Sequence, residues 1–159
     1  MDHSTKTFAL SNGLKIVLTS LNNTEVSHCA LLIKAGTRNE QIQKEGLAHF
    51  IEHMLFKGTR KRKSFHILNR LEIVGGELNA FTSKEETCIH ASVTSLHLER
   101  ALELISDITF NSVYNIREIE KEKEVVCDEI RSYLDNPGEQ IFDDFEGIVF
   151  KKNPLGNQI

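Results

Sequence analysis

His49-Phe50-Ile51-Glu52-His53 sets two imidazoles four residues apart with a carboxylate between them. On an α-helix, positions i, i+3 and i+4 share a face, so His49, Glu52 and His53 would converge. Two neutral imidazoles at that spacing can grip a divalent ion, usually zinc. A carboxylate beside them can act on a water at that ion. A catalytic zinc commonly takes three protein ligands, so a third donor must come from elsewhere. The best candidate lies on a long helix predicted over 116–134, with an apolar stripe of Ile119, Val126, Ile130 and Tyr133. Glu122 and Glu129 stand seven residues apart on one line of that helix. Glu129 follows Val126 by three positions and precedes Tyr133 by four. The pattern therefore predicts a semi-buried carboxylate at the stripe's edge, where a lone charge is costly and a cation opposite removes the cost. Glu118, Glu120, Glu124 and Asp128 read as a solvated face. His28, His66, His90 and His97 stand singly and read as packed or surface residues. Cys127 points away from the line of Glu129 and reads as an inert thiol.

The elements that must position these groups follow from periodicity. Leu47, Phe50, Ile51, Met54 and Leu55 give the His49–His53 segment a helical apolar stripe between Gly46 and Gly58. Before it, runs over 5–10 and 14–20 flank Asn12-Gly13, a two-residue hairpin signal. A third strand over 26–34 alternates, with Cys29, Leu31 and Ile33 on one face. Arg60-Lys61-Arg62-Lys63 reads as a solvated basic loop. Ser64 can cap a helix to about residue 74, with Phe65, Leu68, Leu71 and Ile67 as its apolar side, ended by Gly75-Gly76. Strands follow over 77–82 and 86–94, the second with Thr87, Ile89, Ala91 and Val93 on one face. A helix from Ser95 to about residue 110 turns Leu98, Leu102, Ile105 and Ile108 inward. Pro137-Gly138 breaks the long helix, and a last helix runs over 139–150. The order predicts an α+β fold: a largely antiparallel sheet with helices packed on one face.

The chain has 159 residues, 40% of them hydrophobic and 26% charged, enough for one domain with a proper core. A formal net charge of −4 gives no general pull toward nucleic acid or anionic membrane. No apolar run approaches a membrane span. Three cysteines without a C-x-x-C imply no disulfide framework and fit a reducing compartment. The polar, acid-bearing N-terminus shows neither signal nor transit peptide, which sets the expectation of a cytoplasmic location. Nothing in the chain resembles a nucleophile elbow, a phosphate loop or a dinucleotide fingerprint.

The H-x-x-E-H order resembles the signature of the pitrilysin/insulinase metallopeptidases, the inverzincins, which include the mitochondrial processing peptidases. The likeness extends to Gly36-Thr37-Arg38-Asn39-Glu40, Gly46-Leu47-Ala48 and Met54-Leu55-Phe56-Lys57-Gly58-Thr59 around the motif. It includes Gly75-Gly76-Glu77-Leu78-Asn79-Ala80-Phe81-Thr82, similar to the family's substrate-edge strand, and Glu122 and Glu129 in its E-x6-E element. Together these run from about Phe8 to Leu155.

The resemblance implies a LuxS/MPP-like metallohydrolase fold and one Zn2+ per chain held by His49, His53 and Glu129. It implies Glu52 as general base and proton carrier to the leaving amine, and Glu122 as the residue that positions the ligands. The strand at Asn79, Ala80 and Phe81 would pair with an extended peptide substrate, with Phe81 near a side-chain pocket. That strand also reads as an edge protected by Glu77, Lys84 and Glu85. Members of the family are much longer, with two related halves closing over the substrate. Residues 1–159 are therefore expected to be the N-terminal part of a catalytic domain, lacking a C-terminal half or partner subunit. Apolar faces and a sheet edge would then be open to self-association. The favoured expectation is a zinc endopeptidase acting on peptides or presequence-like segments, weak or inactive as this piece alone. Two alternatives stand beside it: an inert zinc-binding interaction subunit, and a purely structural zinc site.

Overall fold

The computed structural model describes residues 4–41 and 43–157. Two antiparallel sheets form among them. Strands β1 (Ser4–Ala9) and β2 (Lys15–Ser20) make a hairpin. Strands β3 (Val26–Ile33), β4 (Glu77–Thr82) and β5 (Thr87–Thr94) make a three-stranded sheet in the order β3-β5-β4. The first hairpin turn is wider than Asn12-Gly13 alone predicts. Leu10 N donates to the Leu14 carbonyl at 2.9 Å across a three-residue Ser11-Asn12-Gly13 loop, Asn12 Oδ1 accepts the Leu14 amide at 3.1 Å, and the strand register begins at Ala9 and Lys15. A side chain that satisfies a backbone donor locally competes with the ladder.

The three-stranded sheet has two unlike faces, as its period of two requires. Leu31, Ile89 and Ala80 stand in one cross-strand row, and Cys29, Ala91 and Leu78 in the next. This face meets the helices. Leu55 from α1 (Leu47–Leu55), Ile67 and Leu71 from α2 (Ser64–Glu72), and Ala101, Leu104, Ile105 and Ile108 from α3 (Leu98–Phe110) pack on Ile89, Ala91 and Val93. Each fully buried Leu or Ile in this cluster contributes roughly 1.5–3 kcal/mol. The opposite face carries His28, His90, Ser92, Asn79 and Phe81. Helices α4 (Ile116–Leu134) and α5 (Pro137–Val149) follow, with α4 against α1 and α5 against α4.

Several inward faces differ from the predicted ones. In α2 the buried pair is Ile67 and Leu71, while Phe65 and Leu68 are exposed. Gly76 explains the choice. Its amide bonds the Leu71 carbonyl at 2.9 Å, and a Cβ there would lie 2.6 Å from Val93 Cγ1. This tight passage from helix to strand clamps Leu71 onto Val93 and fixes the rotation of α2. In α3 the stripe is Ala101, Leu104, Ile105 and Ile108, a full i, i+3, i+4, i+7 set, and Leu102 faces out. Ala101 offers little side chain, so it carries a weak hydrophobic signal yet allows close approach. Pro137 opens α5 at its first position rather than breaking the chain beyond it. Tyr133 bridges the break, its single hydroxyl proton shared between Asp143 Oδ2 at 2.9 Å and the Glu139 carbonyl at 3.1 Å. Ile141, Phe142, Phe145 and Ile148 of α5 stay exposed, an open apolar face. No helix among the described residues is long and apolar enough to cross a membrane.

The basic run is not simply solvated. Arg62 reaches under the loop, donating to Asp107 Oδ2 at 2.5 Å and to both Glu103 oxygens at 2.8 Å. Thr59 Oγ1 and Asn111 Nδ2 also donate to Asp107, which is buried. Burial alone would push the Asp107 carboxyl up. The Thr59, Arg62 and Asn111 donors outweigh burial and hold it below the usual carboxylate range. A depressed folded pKa means stability that is present above the unfolded value, near 4, and lost as pH falls through the folded one. Asp107→Asn should cost about 3 kcal/mol at neutral pH, the scale for opening a buried pair. It should also show a smaller further loss below about pH 4 than the parent. Urea midpoints at pH 7 and pH 3 check both; parallel losses on acidification would remove Asp107 from the acid-sensitive set.

Candidate metal centre

Helix α1 begins where Gly46 takes φ +83°, a backbone state that favours glycine. Its exposed amides are met by Glu40, whose two oxygens accept from Gly46 at 2.8 Å and Ala48 at 2.6 Å. A carboxylate at this end satisfies orphan donors and opposes the positive pole of the helix. In the sequence Glu40 appears within the Gly36–Glu40 segment of the family likeness, with no capping role assigned to it. Met54 and Leu55 anchor the buried side of α1, while Leu47 and Ile51 are more exposed than their stripe predicts. His49 and His53, one turn apart, then face α4 rather than the core.

There the rings stand edge to face, centroids 4.7 Å apart, with Nε2 to Nε2 at 3.1 Å. Glu129 Oε2 lies 3.2 Å from His53 Nε2 and 3.9 Å from His49 Nε2. Among the described residues these three form the one group of His, Cys, Asp or Glu donors close enough to share an ion. Four-coordinate zinc with bonds near 2.1 Å spaces its ligand atoms by about 3.4 Å, so the donor set fits zinc. The chemistry of the donors fits as well. Glu122 Oε1 sits 2.9 Å from His53 Nδ1. A carboxylate there accepts a hydrogen bond from Nδ1–H, which holds the ring in that tautomer and leaves Nε2 as a bare lone pair toward the cluster. Lone pairs of two imidazoles and a carboxylate facing one point repel unless a cation lies between them.

The burial of the two glutamates reverses the expectation from the stripe. Glu129 is exposed, its side chain 52% accessible, whereas Glu122 is 5% accessible. Both lie on one line of α4, but different groups cover them. The turn at Glu122 lies under His53 and Lys57, with Lys57 Nζ 2.5 Å from Oε2. Glu129 lies against the two imidazole rings and stays open to solvent. Burial would raise the Glu122 carboxyl, but the bonds from Lys57 and His53 outweigh it and hold it below the usual carboxylate range. Lys57 is absent from the sequence-predicted site, although its i+4 spacing from His53 was a readable signal.

Glu52, one position before His53, points toward the sheet. Thr82 Oγ1 donates to its Oε2 at 2.6 Å. Thr82 belongs to β4, an edge strand, and no local spacing in the sequence foretells its reach to α1. On the same strand Asn79 Oδ1 accepts the Ala80 amide at 2.9 Å, so that donor is not committed to a backbone partner. Ala80 faces the helices, while Asn79 and Phe81 face the opposite side. Phe81 is half exposed, its ring 6.2 Å from that of His90. His28 pairs with Ser92 at 2.8 Å, and neither it nor His90 joins the cluster.

The chain is similar to proteins named as proteases or peptidases. A Rickettsia bellii protein named "Uncharacterized zinc protease" is 39% identical over 150 residues, covering 94% of this chain and 36% of that protein. The beta subunit of mitochondrial-processing peptidase from Rattus norvegicus is 38% identical over 157 residues, covering 98% of this chain and 32% of its own length. A crystal structure described as a protease from Helicobacter pylori superposes with a TM-score of 0.90 at 30% identity, over 97% of this chain and 38% of that one. The chain thus spans about a third of the length of the relatives it matches. The family model described as insulinase, peptidase family M16, matches residues 15–159. With the match running from β2 through both histidines, the edge strand and α4, the chain belongs to the insulinase family of peptidases.

Proposed function

We propose that this chain carries the metal centre of a zinc-dependent endopeptidase, with one Zn2+ held by His49, His53 and Glu129. The observation that carries the reading is the convergence of His49 Nε2, His53 Nε2 and Glu129 Oε2 within 4.8 Å of one another. Zinc bound there supplies Lewis acidity that polarises a peptide carbonyl and acidifies a water. The remaining work falls to side chains. Glu52, held by Thr82, takes a proton from the attacking water and passes it to the departing amine. Glu122 holds the Nδ1 edge of His53 and so the ring's orientation. Strand β4, with Asn79, Ala80 and Phe81, receives an extended peptide by adding a strand at its edge, so main-chain bonds give affinity without demanding one sequence. The substrates are peptides or presequence-like segments, and the likeness to a processing-peptidase beta subunit supports that class. Residues 1–159 would serve as the N-terminal part of a larger peptidase unit. A further half or a partner subunit would cover the open face of α5 and enclose the substrate, excluding water from the reaction.

Elemental analysis and a quenched-peptide assay on the intact protein test the reading together. One zinc per chain is expected, with cleavage abolished by a chelator and restored by zinc. Unchanged zinc content in His53→Ala, or cleavage indifferent to the chelator, would overturn it.

A further inference from the structure

We propose that Lys57 is a positioning residue for the metal centre: it fixes the Glu122 carboxylate, which in turn fixes the His53 ring. The inference rests on the reading of His53 as a ligand. Lys57 lies one helical turn beyond His53, just past the end of α1, so both side chains meet α4 at the same level. Glu122 takes one partner on each oxygen: Oε1 faces His53 Nδ1 at 2.9 Å and Oε2 faces Lys57 Nζ at 2.5 Å. With its side chain 5% accessible, Glu122 has little solvent with which to replace either partner. A carboxylate whose second oxygen is held by a group independent of the ring has its plane set. A carboxylate anchored only through the imidazole can turn with it, and the ring is then free to swing about its own side-chain torsions. The lysine thereby converts a hinged pair into a fixed one. Groups that orient a ligand histidine typically change metal affinity by 10–100-fold.

A plain strut between α1 and α4 would have the same contacts, so the test must read more than stability. Three measurements on the intact protein separate the two roles: zinc affinity by chelator competition, the tautomer of His53 by imidazole 15N shifts in the metal-free protein, and the thermal midpoint. Lys57→Met is expected to lose 10–100-fold in zinc affinity and to show mixed His53 tautomers where the parent shows the Nδ1–H form alone. Lys57→Arg, which restores a cation at similar reach, is expected to recover most of the affinity and the single tautomer. If Lys57→Met does not fold, Lys57→Gln keeps a donor without the charge and is expected to show the same two changes in smaller measure. Parental affinity and a single tautomer in the folded variant, with only the thermal midpoint lowered, would reduce Lys57 to a strut. His53→Ala is the control for the underlying reading. If His53→Ala keeps zinc, the metal-centre assignment fails whatever Lys57 does; if it loses zinc, the Lys57 result stands by itself.

Discussion

Glu52→Gln in the intact protein is expected to retain zinc and to lose at least ~10²-fold in turnover, the scale for a positioned general base. The geometry separates this residue from the donor cluster. Its carboxylate turns from the two imidazoles toward β4, where Thr82 donates to Oε2 at 2.6 Å. That bond leaves Oε1 for another partner and holds the carboxylate beside the strand proposed to receive the peptide. The amide of Gln keeps the size of the side chain and can still accept from Thr82 through its oxygen. What it loses is the capacity to take a proton. Metal content should therefore be unchanged while the catalytic step slows, and KM should move little, because the edge-strand contacts are untouched. Near-parental turnover with zinc bound would sink the assignment of Glu52 as base. A fall in zinc content parallel to the fall in turnover would instead move Glu52 into the donor set.

The parts of this site that were legible in the sequence are those governed by one helix at a time. His49 and His53 needed only the geometry of α1, whereas Glu52, expected to converge with them, turns to Thr82 of β4; the limits of α4 followed from its periodicity, from Ile116 to Leu134. The predicted helix over 139–150 was nearly as close to α5. Burial across elements was less legible. Glu122 and Glu129 occupy equivalent places on α4, and nothing within that helix distinguishes them. The difference arises because Lys57 and His53 cap one turn while the other looks onto the open cluster. Thr82 and Glu40 are further cases: each acts through a contact with α1 made from outside that helix, Thr82 from β4 and Glu40 from the segment before the helix. The apolar side expected of α2 held Phe65, Leu68, Ile67 and Leu71 together, since both pairs satisfy helical spacing, but only Ile67 and Leu71 are buried. The choice between the pairs was made by the close passage of Gly76 against Val93.

Glu129→Gln provides the sharpest test of the metal assignment because of the very feature that the stripe misread. A semi-buried carboxylate would be expected to serve the fold as well as the metal, and its loss would blur the two. Glu129 is exposed, and among the described residues it pairs only with the imidazoles, 3.2 Å from His53 Nε2 and 3.9 Å from His49 Nε2. Its replacement should leave the fold intact, since surface substitutions away from buried features usually stay within about 0.5 kcal/mol. The thermal midpoint of the metal-free protein is thus expected to hold. Zinc affinity is expected to fall by more than ~10²-fold, beyond the range seen when only an outer partner of a ligand is lost, because a neutral amide replaces an anionic donor. Glu122→Gln offers the contrast. It removes the charge that Lys57 meets at 2.5 Å in a buried setting, so both stability and affinity should drop. Competition with a chelator and thermal melts of the two metal-free variants decide the matter. Parental zinc affinity in Glu129→Gln would exclude it from the ligand set and leave the two histidines in need of a different third partner.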